Sequence, residues 1–132
     1  MLPDGLGITV GVDLVPVERM AQLLERGDSL ESRVFTAAEL ERCGDQARRD
    51  ECLAARFAAK EAVMKAFGKG LADGVGFAHA EVVTADGGRP EVRLHGPLAD
   101  MADEQGLTGI ELSLSHAGGI AVAVAVAVWR AG

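Results

Sequence analysis

Arg56-Phe57-Ala58-Ala59-Lys60-Glu61-Ala62-Val63-Met64-Lys65-Ala66-Phe67-Gly68 reads as the second half of one long helix that carries acid and base among alanines. Glu61 and Lys65 stand four residues apart, so they share a face one turn from each other. Phe57 lies on that face too. Ala58, Ala59, Ala62 and Ala66 are small enough to admit another backbone or a flat ligand. The helix is expected over about 48–67, with Gly68 closing it as a C-cap. A carboxylate and an ammonium on such a surface can hold a metal ion and a phosphate. Taken alone, the same two residues are a surface i,i+4 ion pair worth about 0.3 kcal/mol.

Working outward, Thr36-Ala37-Ala38-Glu39 is a capping box that starts a helix at Ala37, which runs to about Cys43 and stops at Gly44-Asp45. Upstream, residues 8–15 are β-rich, and Pro16 suits the first turn of a helix over about 16–26. Asp13 falls at that strand-to-helix junction, where side chains are often put to chemical use. Gly27-Asp28-Ser29 breaks the helix and a short turn follows over 30–34.

Downstream, the glycine-rich loop 68–76 lacks the Walker A spacing. Two strands, about 78–84 and 91–95, flank Asp86-Gly87-Gly88-Arg89-Pro90, a hairpin signal. Pro97 opens a helix that Gly106 ends. Residues 110–115 alternate apolar and polar, Gly118-Gly119 turns the chain, and residues 120–128 alternate isoleucine or valine with alanine. Both faces of that last strand are apolar, so it is expected to be covered on both sides. Its alanine face leaves room for a close neighbour, a helix of the same chain or another subunit. The fold class is α+β: a small, largely antiparallel sheet packed by helices, in a single domain spanning residues 1–132.

The formal charge of −7 argues against general nucleic-acid binding, which needs a basic footprint. Local basic clusters remain at Arg19, Arg26 and Arg33 and at Arg48-Arg49. Cys43 and Cys52, the two cysteines of the chain, are expected as free thiols. No signal peptide is visible, and the longest uncharged apolar run, 120–129, is half the length needed to span a bilayer. A cytoplasmic protein that does not use a membrane is therefore expected.

Asp13, Glu61 with Lys65, and Ser115-His116 are expected to converge on one site. Two carboxylates are a typical protein share of a Mg²⁺ site, with water and substrate phosphates completing the octahedron. By spacing alone the signal is weak, because only the fold can join Asp13 to Glu61. Taken together and in order, however, the motifs resemble the phosphopantetheinyl transferases. Val10-Gly11-Val12-Asp13 resembles their first signature. Phe57-Ala58-Ala59-Lys60-Glu61-Ala62 with Lys65 resembles (F/W)-x-x-K-E-(S/A)-x-x-K, and Ser115-His116 resembles the third element. The single-copy length is similar to that of the holo-[acyl-carrier-protein] synthases.

The resemblance implies transfer of phosphopantetheine from coenzyme A to a serine of apo acyl carrier protein, of the fatty-acid or polyketide kind. Asp13 and Glu61 would hold Mg²⁺, and Lys65 would sit against the diphosphate. The general base stays open between a metal-ordered water, Glu61 through that water, and Lys60. Arg48, Arg49, Ser115 and His116 are candidates for the coenzyme, and Arg19 and Arg26 for an acidic carrier. The family implies a homotrimer with sites between subunits. Lys69 departs from the uncharged residue many relatives carry there. Two rivals are a non-catalytic carrier-binding module and another Mg²⁺-dependent phosphotransferase or coenzyme A-binding protein.

Overall fold

The computed structural model describes residues 5–44 and 47–130. In chain order the elements are β1 (Leu6–Pro16), α1 (Val17–Leu24), α2 (Asp28–Val34), α3 (Ala37–Cys43) and α4 (Arg49–Phe67). They continue with β2 (Ala80–Thr84), β3 (Pro90–Leu94), α5 (Gly96–Gln105), β4 (Leu107–Ala117) and β5 (Ile120–Arg130). The strands form an antiparallel sheet of order β1-β5-β4 and a separate β2-β3 hairpin.

The helix caps follow the expected chemistry. The Thr36 side chain accepts from the Glu39 amide at 3.2 Å, and Glu39 Oε1 accepts from the Thr36 amide at 2.8 Å, completing the capping box. Gly68 ends α4 in the left-handed region at φ 68°, where a side chain would be strained. Residues 30–34, expected as a turn, belong to α2. The Gly44-Asp45 stop holds at Gly44, which caps α3; Asp45 lies outside the described residues.

The long helix lies across the inner face of the three-stranded sheet. Ala121, Ala123, Ala125 and Ala127 of β5 are fully buried, as are Ala58, Ala59 and Ala62 of α4. The alanine face therefore meets a helix of the same chain. The valine face corrects a sequence expectation: within this chain it is not covered. Val10, Val12 and Leu14 of β1 are 52–63% exposed, and they pair with the half-buried Val126, Val124 and Val122 of β5. Alternation reports that a face is apolar, not what will cover it.

A second correction concerns the cysteines. Cys43, at the end of α3, and Cys52, in the first turn of α4, are joined in a disulfide with Cα atoms 5.6 Å apart. Their separation of 9 residues gives no hint of this, because it is the packing of α3 on α4 that brings the two Cβ atoms together.

Gly11 sets the depth of the helix on the sheet. A Cβ at this position would stand 1.8 Å from the Ala62 carbonyl oxygen and 2.9 Å from the Ala66 nitrogen. Only a residue without a side chain lets β1 lie directly on the helix backbone. Gly11→Ala is expected to push the strand off α4, at a cost of about 3 kcal/mol or more and roughly 10 °C in Tm by thermal denaturation. A variant with the parent Tm would show that the strand and helix do not meet here.

Candidate active site

Asp13 owes its position to strand alternation. On β1, Gly11, Asp13 and Val15 face inward, and Asp13 pairs with Ala123 of β5. Its carboxylate therefore reaches the α4 face that carries Glu61 and Lys65. The Lys65 ammonium donates to Asp13 Oδ1 and to the Val12 carbonyl oxygen, both at 3.0 Å. Asp13 Oδ2 is buried without a hydrogen-bond partner.

Glu61 is held with its pKa raised to about 7. Burial is the largest cause, followed by a hydrogen bond and like-charge repulsion from Asp13; Lys65 and Arg19 act against the shift. Two carboxylates side by side, one with a stranded oxygen, form a strongly electronegative point on the surface of the domain. Lys65 closes it on one side and is itself 56% exposed.

Two cavities share Glu61 as a wall. One, of about 240 Å³, runs past Met64 and Lys65 to Lys69, Gly70, Leu71 and Phe77. The other, of about 270 Å³, is apolar and lies between α1, α2 and α4, with Met20, Leu23, Val34 and Phe57 in its walls and Arg19 at its edge. The face of α4 expected to stay open is thus open, while its alanines are packed.

Lys60, next to Glu61, points about 100° away round the helix. It is fully buried and its ammonium donates to Glu39 Oε1 at 2.6 Å, Ala80 O at 3.0 Å and Phe77 O at 3.2 Å. Burial pulls the ammonium below its usual pKa and Glu39 opposes the shift. All three N–H donors are engaged. Lys60 is therefore a structural tie between α4, α3 and the start of the hairpin, and is removed from the candidate bases.

The remaining sequence candidates do not join the cluster. Ser115 and His116 are exposed on β4, on the far side of β5 from β1, so the two edge backbones are about 10 Å apart. Arg49 is tied to Glu31 of α2 in a close ion pair. Arg48 is exposed and only loosely paired with Glu51 at 4.0 Å. Both stand at the N-terminal end of α4, about 18 Å along the helix from Glu61. Arg19 borders the Glu61 cavity, and Arg26 is exposed just after α1.

The β4 side holds a feature that the motif reading quoted but gave no role. A cavity of about 630 Å³ is walled by Arg42, Cys52, Arg56, Thr84, Pro90 and Ser113, among others. Arg56 is 8% exposed and donates to Thr84 Oγ1 and Cys52 Sγ, each at 3.2 Å, while its Nε is buried without a partner. Burial, the largest effect, disfavours its charge, Glu39 favours it and Arg42 again opposes it, and the guanidinium stays protonated. An arginine standing directly before the Phe57–Lys65 motif was the available signal.

Residues 9–125 match the model of the 4'-phosphopantetheinyl transferase superfamily. The chain belongs to this superfamily. It is 48% identical over 120 residues to the holo-[acyl-carrier-protein] synthase of Desulforudis audaxviator, covering 90% of this chain and 91% of that one. The synthase of Frankia alni is 45% identical, with 91% and 96% covered. The ACPS–CoA complex of Chronobacterium ammoniagenes superposes with a TM-score of 0.82 at 34% identity, over 94% and 98% of the two chains. A holo-(acyl-carrier-protein) synthase of Bacillus anthracis in complex with CoA (3',5'-ADP) superposes with a TM-score of 0.73 at 30% identity, over 94% and 96%.

The chain is thus a phosphopantetheinyl transferase, and the Asp13–Glu61 pair can be tested against the metal expected there. Among the described residues no cluster of three or more His, Cys, Asp or Glu could hold an ion. Two carboxylates suit a Mg²⁺ that keeps several waters and takes substrate phosphates as its other ligands. The burial that raises Glu61, together with the repulsion from Asp13 and the stranded Asp13 Oδ2, is what a divalent cation would offset, so the residues fit the group.

The transferase's metal-free stability should carry the signature of this pair. The folded pKa of Glu61, about 7, lies above its ordinary value of 4.5, so folding favours the protonated form. The stability it contributes is full below the lower value and lost as pH rises through the higher one. With a chelator present, Glu61→Gln should therefore gain Tm relative to the parent between pH 5 and pH 8. An unchanged difference across that range would exclude the carboxylate repulsion.

Proposed function

We propose that this transferase moves 4'-phosphopantetheine from coenzyme A to a serine of apo acyl carrier protein, in the cytoplasm and with Mg²⁺. The observation that carries the reading is the buried, unpartnered Asp13 Oδ2 beside Glu61 and Lys65, in a chain of this superfamily. The serine hydroxyl attacks the β-phosphorus of the coenzyme. The bond from that phosphorus to the bridging oxygen breaks, and adenosine 3',5'-bisphosphate leaves. Mg²⁺, when held by Asp13 and Glu61, offsets negative charge on the diphosphate. Lys65 turns from Asp13 to the diphosphate and supports the charge that grows on the leaving oxygen. The serine proton passes to a water ordered at the metal, or through that water to Glu61.

The cation-seeking carboxylate cleft and the anion-seeking guanidinium cavity lie at opposite edges of the sheet. The Asp13 cleft is on the β1 edge, and the Arg42–Arg56 cavity and His116 are on the β4 edge. We read them as two halves of a coenzyme site completed between neighbouring copies in a homotrimer. In this arrangement the guanidinium cavity receives the phosphate-bearing nucleotide end. The uncovered valine and leucine face supports this assembly, because an apolar sheet face of this size in water needs a partner.

The groove between α1 and α2 suits the carrier. Its floor is Met20, Leu23 and Val34, and Arg19 flanks it, with Arg26 exposed beyond. An acidic amphipathic helix can lay its apolar side there with its carboxylates on the arginines.

Incubation with coenzyme A, Mg²⁺ and apo carrier should add the phosphopantetheine mass to the carrier in a mass spectrum. Asp13→Asn and Glu61→Gln should each slow that transfer about 10²–10³-fold. Absence of the increment on several carriers would refute the activity, and full activity of both variants would refute the metal assignment.

The assembly has its own test. In sedimentation the parent should run as a trimer. Val10→Glu, on the uncovered face, should shift it to monomer with its helical signal retained and transfer lost. A parent that sediments as a monomer while still transferring would overturn the shared site.

A further inference from the structure

The Cys43–Cys52 disulfide stands between the two arginines of the large cavity. Cys43 follows Arg42 in α3, and Cys52 lies one turn before Arg56 on α4. Arg56 Nη1 donates to Cys52 Sγ at 3.2 Å, and it also reaches the Cys52 carbonyl oxygen at 3.5 Å. Cys52 is itself part of the cavity wall, whereas Cys43 is fully buried. One cysteine thus lines the cavity, and its sulfur accepts from the guanidinium of Arg56, which lines it too. The other anchors the end of the helix that carries Arg42.

We propose that Cys43–Cys52 is a redox modification site that sets the affinity of the Arg42–Arg56 cavity for a phosphate-bearing ligand. This rests on reading that cavity as the seat of the coenzyme's nucleotide end. Disulfides inside cells are commonly transient or redox-sensing, so a pair in this position is suited to respond to the thiol pool.

The chemistry is ordinary thiol–disulfide exchange with a low-molecular-weight thiol or a dithiol protein. The incoming thiolate attacks Cys52 Sγ from the cavity, the Sγ–Sγ bond breaks, and Cys43 leaves as a thiolate that takes up a proton. A second thiolate attacks the sulfur of the reductant in the mixed disulfide and releases Cys52 as a thiolate, so two electrons enter the pair, one proton goes to Cys43 and the reductant becomes a disulfide.

The two states present different charge to the cavity. In the disulfide, Cys52 Sγ is a neutral, weak acceptor, and the charge of Arg56 is available to an anion. In the reduced pair, a Cys52 thiol beside a guanidinium is biased toward thiolate. That thiolate would pair with Arg56 and cancel the charge the cavity offers. The other charged groups near Arg56 do not undo this: Glu39 is already paired with Lys60, and Arg42 adds to the bias. Reduction also frees the end of α3, so Arg42 is no longer held against the cavity.

Calorimetric titration of the full chain with adenosine 3',5'-bisphosphate tests the proposal, in the oxidised form and after reduction, with thiols counted in each. The oxidised form should bind roughly tenfold more tightly, the size of one charged hydrogen bond. Cys43→Ser, which leaves the Cys52 thiol, should bind like the reduced form whether or not reductant is present. Equal affinities in both states, two free thiols after oxidation, or no binding in either state would each overturn the proposal. The mass-spectrometric transfer assay stands apart from these outcomes: a chain that transfers phosphopantetheine yet binds the bisphosphate equally in both states keeps its function and loses the switch.

Discussion

Everything at the site depends on one close approach, that of β1 to the backbone of α4 at Gly11. A strand normally rests on a helix through side chains. Here the glycine of β1 meets the carbonyl of Ala62, and no atom stands between. Two residues along the strand, alternation turns Asp13 to the same side, where it now reaches Glu61 and Lys65 without a long side chain. The small residues of α4 and the alanine face of β5 extend that approach over the rest of the sheet. The alanines are thus not filler: they set the distance at which a strand-borne carboxylate and a helix-borne one become neighbours.

Two lysines five residues apart on one helix show how that geometry divides stability from chemistry. Lys60 lies under the hairpin, fully buried and paired with Glu39 at 2.6 Å. Removing one partner of such a pair strands the other at a cost of about 3–5 kcal/mol. Glu39 also ties Thr36 and Val82 through their amides, so the pair fixes α3 and β2 on α4. Lys65 is at the rim, 56% exposed, and bonded to Asp13 at 3.0 Å. One ammonium is enclosed by the fold and the other stands at its surface. The difference lies only in which element covers each face of the helix.

A single copy of the chain holds two incomplete arrangements. Carboxylates and an ammonium gather at one edge of the sheet, and guanidiniums gather at the other, with β5 between them. The uncovered apolar face runs along the β1 and β5 strands. A net-acidic chain that handles anionic ligands can do so because its cationic groups are concentrated at these places rather than spread over its surface.

The sequence by itself determined most of the elements, the fold class and the family. The Thr36–Glu39 capping box, the Gly68 stop and the alternation of β5 were legible because caps and periodicity are local, and the motif order pointed to Asp13, Glu61 and Lys65. The superfamily match, over residues 9–125, upholds the family reading. Only the tertiary structure decided the rest, because it depends on residues distant in the chain. It joined Cys43 to Cys52 where free thiols were expected, buried Lys60 beside an open Glu61, and tied Arg49 to Glu31. It also separated Ser115-His116 from Asp13 by a full strand and set Arg56 in the wall of a cavity. Local spacing specifies the direction in which a side chain leaves its own element. What it meets there is fixed by the packing of elements that the sequence does not place side by side.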